Sequence, residues 1–336
     1  MNDHRYEEEL TAPVELCTAG GRLNDDAVGY SSSLVHVPNL PRGPRGWGRN
    51  KRWEYWAIIT PDHVIGVTIA SLDYAGLVQL YLVDRRSDDD NVIADDRLFP
   101  LARGIELPDA VPPFVAGAGG EIEMRFCYGT DTDRLRLRSP RVHFDLEALP
   151  GGDVLAVVIP WSSTRFQYTV KDVARPIRGE LVVDGETFNL DAGDCFAVLD
   201  RGRGRWPYRM TWNWAAGFGR GDDTSLGLQM GGKWTVDTPG TENALFVDGR
   251  LNYIDQELRW QYDADDPTAA WQIRGKRIDA TLTPFHLRRD DTNALVVASR
   301  TRQAFGHWSG WAIDDDGQRH SLDGLVGFAE EAHNRW

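Results

Sequence analysis

Two carboxylates and a run of indoles carry most of the chemistry this sequence can offer. Asp200 closes the apolar run "CFAVLD", and Glu242 sits in "TEN" ahead of another apolar run. Between them "RWPYRMTWNWAAGFG", Arg205 to Gly219, brings Trp206, Tyr208, Trp212 and Trp214. A carboxylate beside aromatic surface loses hydration, which raises its pKa and suits it to donate a proton. At a period of two, Tyr208, Met210, Trp212 and Trp214 share one face, while Arg209, Thr211 and Asn213 share the other. A barrel wall behaves this way, with its large apolar groups turned inward. The plainer reading is a core stripe flanked by a turn-capping aspartate and an exposed glutamate.

Other motifs are weaker. "RGPRGWGRNKRW" gathers Arg42, Arg45, Arg49, Lys51 and Arg52, a phosphate site or, more simply, a solvated loop. "AGAGG" at 116–120 is no dinucleotide fingerprint, because GxGxxG and a following helix are missing. The eight histidines are scattered, with no HxH or HExxH kernel for a metal. Glu330, Glu331 and His333 offer ligands near the C-terminus, although "GFAEEAHNRW" reads as a solvated helical turn. No GxSxG elbow appears. The reading therefore assigns no metal and no cofactor.

The elements that must position these groups are strands. Runs such as "WEYWAIIT", "HVIGVTIASL", "DRLRLRSP" and "RVHFDLEAL" are rich in β-formers or alternate apolar with polar residues. "VDG" at 183–185 and 247–249 and "DDDG" at 314–317 are hairpin signals. Residues 1–50 read as irregular, and "NVIADDRLFPLARGIELPDAVPPFVAGAGG" as a long loop. With no βαβ rhythm, the chain is predicted to be all-β and antiparallel, as barrels or sandwiches.

Its 336 residues fit two domains, and 41% hydrophobic with 26% charged residues is a globular balance. A net charge of −14 argues against nucleic acid as a partner and for a small ligand. Cys17, Cys127 and Cys195 form no CxxC pair, as in a reducing compartment. The charged start "MNDHRYEEEL" and the lack of a long apolar segment predict a cytoplasmic protein without a membrane span.

"LDRGRGRWPYRMTWNWAAG", "TENALFVDGRL", "FGHWSG" and "GFAEEAHNRW" together resemble the bacterial domain-of-unknown-function family numbered 2804, over about Leu16 to Trp336. More distantly, "GELVVDGETFNLDAGDCFAVLDRGRGRWPYRMTWNWAAGF" is similar to the junction segment of carotenoid 1,2-hydratases and the related fungal prenyl-hydrating enzymes and Diels–Alderases. In that segment a DG hairpin leads to Asp-His-x-Trp-Gly and then a Trp-rich strand. Asp200 takes the aspartate position, but Arg201 stands where the histidine is expected. The relatives' catalytic residues therefore do not carry over.

This likeness implies two lipocalin-like (calycin) antiparallel β-barrels, 1–199 and 200–336, sharing a cleft for an isoprenoid- or polyketide-like ligand. The matching chemistry is hydration, dehydration or cyclisation of an alkene, by a hydratase, lyase or cyclase. Such chemistry needs a carboxylic acid kept protonated by desolvation and aromatic faces to hold a cation. Asp200 is the first choice for the acid and Glu242 the second. Trp206, Tyr208, Trp212 and Trp214 would shape the pocket, and Asn243 and His307 would orient water. The rival readings are a non-catalytic carrier of a hydrophobic metabolite and a scaffold whose barrels are filled by side chains; a homodimer stays open. Arg201, Arg203 and Arg205 weigh on the choice, because an Asp200 paired with one of them stays ionised.

Overall fold

The computed structural model describes residues 9–41, 46–86, 91–221, 224–294 and 297–335, with side chains 292–297 outside the description. Arg42 and Arg45 of the basic run lie outside the described residues. Among those described, apart from one 3-10 turn at Asp25–Ala27, the regular elements are all strands.

A fourteen-stranded antiparallel sheet carries the first half of the chain. At its centre lie the strands Asn50–Ile59, Phe196–Arg205 and Arg165–Val183, side by side. A ten-stranded sheet carries the rest, with Arg209–Gly221 flanked by Thr224–Gly232 and Val326–Arg335. The chain changes sheets at Trp206–Tyr208, between two paired strands. Arg165–Val183 spans 19 residues and breaks register between Asp172 and Arg175. Ala174 adopts φ +61 there. The bulge bends the strand, so its halves pair with different neighbours and the sheet curls.

Alternation sets the outer strands. Asp133–Arg138, "DRLRLR", is buried and exposed by turns along its whole length. The two "VDG" hairpins form as expected: Asp184–Gly185 and Asp248–Gly249 all have positive φ, the geometry that matches strand twist in a two-residue turn.

Two expectations need correction. Asn91–Pro100, part of the supposed long loop, is an edge strand beside Ala75–Asp84. Its charged residues, Asp95, Asp96 and Arg97, hid it, and charge is how edge strands avoid unwanted pairing. "GFAEEAHNRW" is no helical turn, because Val326–Arg335 is a strand. Six consecutive residues in it are buried. A strand covered on both faces loses the alternation that would reveal it.

Three apolar layers result. One lies inside the first sheet around Trp56, Phe126 and Leu135, and one inside the second around Leu228, Trp271 and Trp308. The third lies between the sheets and mixes Tyr55, Val198 and Phe196 with Trp214, Phe305 and Phe328. The Trp face of Arg209–Gly221 therefore looks out of its own sheet, toward the other one. Ala215, of the opposite parity, faces the second sheet's interior.

Candidate active site

The seam between the sheets contains a polar cluster built from two cross-strand rows. On the first sheet Lys171, Asp200 and Tyr55 are successive neighbours across three strands. On the second sheet Trp214, Glu330 and Gln303 are neighbours in the same way. Parity aims each row into the seam. The rows meet where the Lys171 ammonium lies 3.9 Å above the Trp214 ring and Gln303 donates to the Tyr55 hydroxyl at 3.3 Å.

Three carboxylates surround that lysine. Lys171 Nζ is 3.1 Å from Asp200 Oδ2 and 3.3 Å from Glu242 Oε1. Thr169 donates to Asp200 Oδ1 at 3.0 Å, so both oxygens of Asp200 are held by donors. Glu242 is 2% exposed, and Trp234 donates its indole N–H to Oε2 at 3.3 Å. Glu330 accepts the indole N–H of Trp212 at 2.9 Å. Burial pushes Glu242 up to about 7, with Lys171 opposing and the Asp200 charge adding. Burial likewise pushes Glu330 up to about 7, against the Trp212 hydrogen bond. Acids of this kind exchange protons at neutral pH.

The three arginines after Asp200 are not its partners. Strand alternation turns Arg201, Arg203 and Arg205 to the opposite face. There Arg201 and Arg203 meet Glu54 at 3.1 and 2.6 Å, and Arg205 donates to Asn50. Burial of Glu54 works against its charge, but the two guanidiniums outweigh it and hold the carboxyl below its usual range.

Beside the carboxylates lies an indole cluster. Trp206 stacks on Trp234 with centroids 6.0 Å apart and meets Trp53, Trp161 and Trp212 edge-on. These rings fill the seam with one another, while Trp53, Trp161 and Trp212 stay half-buried as its rim. An open volume of about 980 Å³ lies beside Met210, and Trp206, Trp212 and Trp214 do not line it.

The structure thus brings together Asp200, Glu242, Trp206, Trp212 and Trp214. Asn243 is adjacent but committed, accepting from the Gly231 amide and donating to the Gln256 carbonyl. Tyr208 is 40% exposed and lies under the Arg49 guanidinium. His307 is exposed, against Phe285. Sequence reading missed Lys171, Glu330, Trp234 and Tyr55 as site residues. Lys171 had a signal, being one of four lysines among 37 basic residues and set within the apolar strand "FQYTVKDVA". Glu330 was hidden by the helical reading of the tail.

No helix of the described residues is long and apolar enough to cross a membrane. The curled two-sheet architecture with a polar seam defines an all-β, two-barrel type of protein. A crystal structure of an AttH protein from Nitrosomonas europaea has this fold: TM-score 0.55 at 14% identity, covering 86% of this chain and 93% of that one. Kievitone hydratase from Nectria haematococca aligns at TM-score 0.46 and 9% identity, over 86% and 89% of the two chains. A search of curated proteins by sequence finds no match. The chain belongs to the family described as Domain of unknown function (DUF2804), which it matches over residues 7–336.

Proposed function

We propose that the seam cluster performs acid–base chemistry on the double bond of a small apolar molecule, adding or removing water. The observation that carries this is a pair of buried carboxyls, Glu242 and Glu330, both pushed up to about 7 around a single ammonium. Glu242 takes the role of acid. Asp200, engaged by Lys171 and Thr169, fixes the ammonium that in turn positions Glu242. The domains are divided at residues 206–208, and each contributes one wall of the site.

In the hydration direction the Glu242 proton moves to one alkene carbon. The cation left on the other carbon lies over indole faces, Trp212 foremost, where attraction is worth about 2 kcal/mol when desolvated. Water adds to that carbon, and its surplus proton returns to the carboxylate cluster, so the net change is one water across one C=C bond. Dehydration runs the same steps backward.

Native mass spectrometry of freshly purified protein supplies the compound, and turnover in deuterium oxide supplies the test. Wild type should leave one deuterium on carbon in the product. Glu242→Gln should lose on the order of 10²-fold or more in rate while still holding the compound. Equal turnover by the variant removes Glu242 from this role. A bound compound that no variant or wild-type sample converts leaves the protein a carrier.

A further inference from the structure

The open volume beside Met210 is charged in a way the chain as a whole is not. It lies where Arg209–Gly221 begins and Val326–Arg335 ends. Arg209, Lys233, Arg300 and Arg335 line it against Asp291 alone, in a protein of net charge −14. In the ladder Arg209 stands directly opposite Arg335, and His333 lies between Thr211 and Arg300 in the next row on that face. Like charges placed opposite each other destabilise a sheet, so this arrangement is relieved by a bound anion.

The acidic groups nearby are already engaged. Asp291 pairs with Arg302 at 2.8 Å. Glu331 holds the Lys233 ammonium and the Tyr262 hydroxyl, with Arg300 3.6 Å away. Those hydrogen bonds overcome its burial and bring its carboxyl down to about 2. Met210 lines the groove and also packs with Trp212 against the core of Val157, Ile159 and Trp234. Lys233 and Trp234, adjacent in sequence, likewise point one into the groove and one into the indole cluster.

We infer that the groove receives the anionic head, a carboxylate or a phosphate, of an amphipathic small molecule. Its apolar body runs over Met210 toward the indoles. Guanidinium forks match either head group. This deepens the proposed function, on which the placement of the apolar body rests; the placement of the head rests on the groove alone.

Calorimetric titration with dodecanoate, dodecyl phosphate and dodecanol, each below its aggregation limit, tests it. Both anions should bind wild type at least about tenfold more tightly than the alcohol, and weaken with added salt. The tighter of the two identifies the head group. Arg209→Gln/Arg300→Gln should erase the difference and leave the alcohol unchanged. Equal affinities in wild type, failure of both anions to bind, or an anion preference kept by the double variant would overturn the inference. Trp212→Ala separates the two readings: it weakens all three probes if the seam takes the chain. No effect of Trp212→Ala, with the arginine variant still erasing the preference, leaves the groove standing and removes the seam.

Discussion

At the scale of the residue, the seam is a problem of charge. Asp200, Glu242 and Glu330 share the Lys171 ammonium, and the second and third are fully enclosed. Glu242 ordinarily titrates near 4.5 but is pushed up to about 7 in the folded protein. Below 4.5 it is protonated in both states and costs nothing. Between 4.5 and 7 the unfolded chain releases the proton that the fold retains, so stability falls as pH rises through this window. For a displacement of this size the loss is about 3 kcal/mol. Glu242→Gln should therefore gain stability relative to wild type at pH 8 and not at pH 4, read by urea unfolding at each pH. Infrared difference spectra should show a protonated carboxyl band at pH 6 that fades above pH 8, and the Gln variant should lack part of it. Lys171→Met removes the counter-charge and should cost about 3–5 kcal/mol at pH 8. It should cost much less at pH 5, where the glutamates are protonated; an equal cost at both would refute the coupling.

The strand is the scale that decides which of these residues can meet. A period of two separates Asp200 from Arg201 and Arg203, and Glu330 from Glu331, though each pair is adjacent in sequence. The first of each faces the seam. The others face Glu54 in the first sheet's interior or the groove of the second sheet. A glycine completes the arrangement: a Cβ on Gly231, the neighbour of Trp214 across the ladder, would come 2.6 Å from Glu242 Oε2. Gly231→Ala should cost about 1–3 kcal/mol through overpacking. Combined with Glu242→Ala, much of that cost should vanish, because the atom it strikes is gone; an additive double variant would show that the close approach is unimportant. The strands themselves were readable where one face is wet, as at Asp133–Arg138. They were unreadable at Asn91–Pro100, where charge guards an edge, and at Val326–Arg335, where both faces are dry.

At the scale of the molecule, the layer between the sheets makes them one cooperative unit. Phe328 is fully buried there, 4.7 Å from the Trp214 ring centroid and 5.9 Å from Phe305. Phe328→Ala should cost about 3–5 kcal/mol and shift a single calorimetric transition downward. Two separate transitions in wild type would show that the seam does not couple the sheets. The sequence by itself determined the β class, the hairpins and the presence of an aromatic, carboxylate-bearing segment, since these follow from local alternation and turn chemistry. Only the tertiary structure decided that the indoles face outward from their sheet and that Lys171 and Glu330 join Glu242. Only it showed that Tyr208 and His307 stand apart. Which face of a strand meets another sheet depends on contacts between residues more than a hundred positions apart, and no local period encodes them.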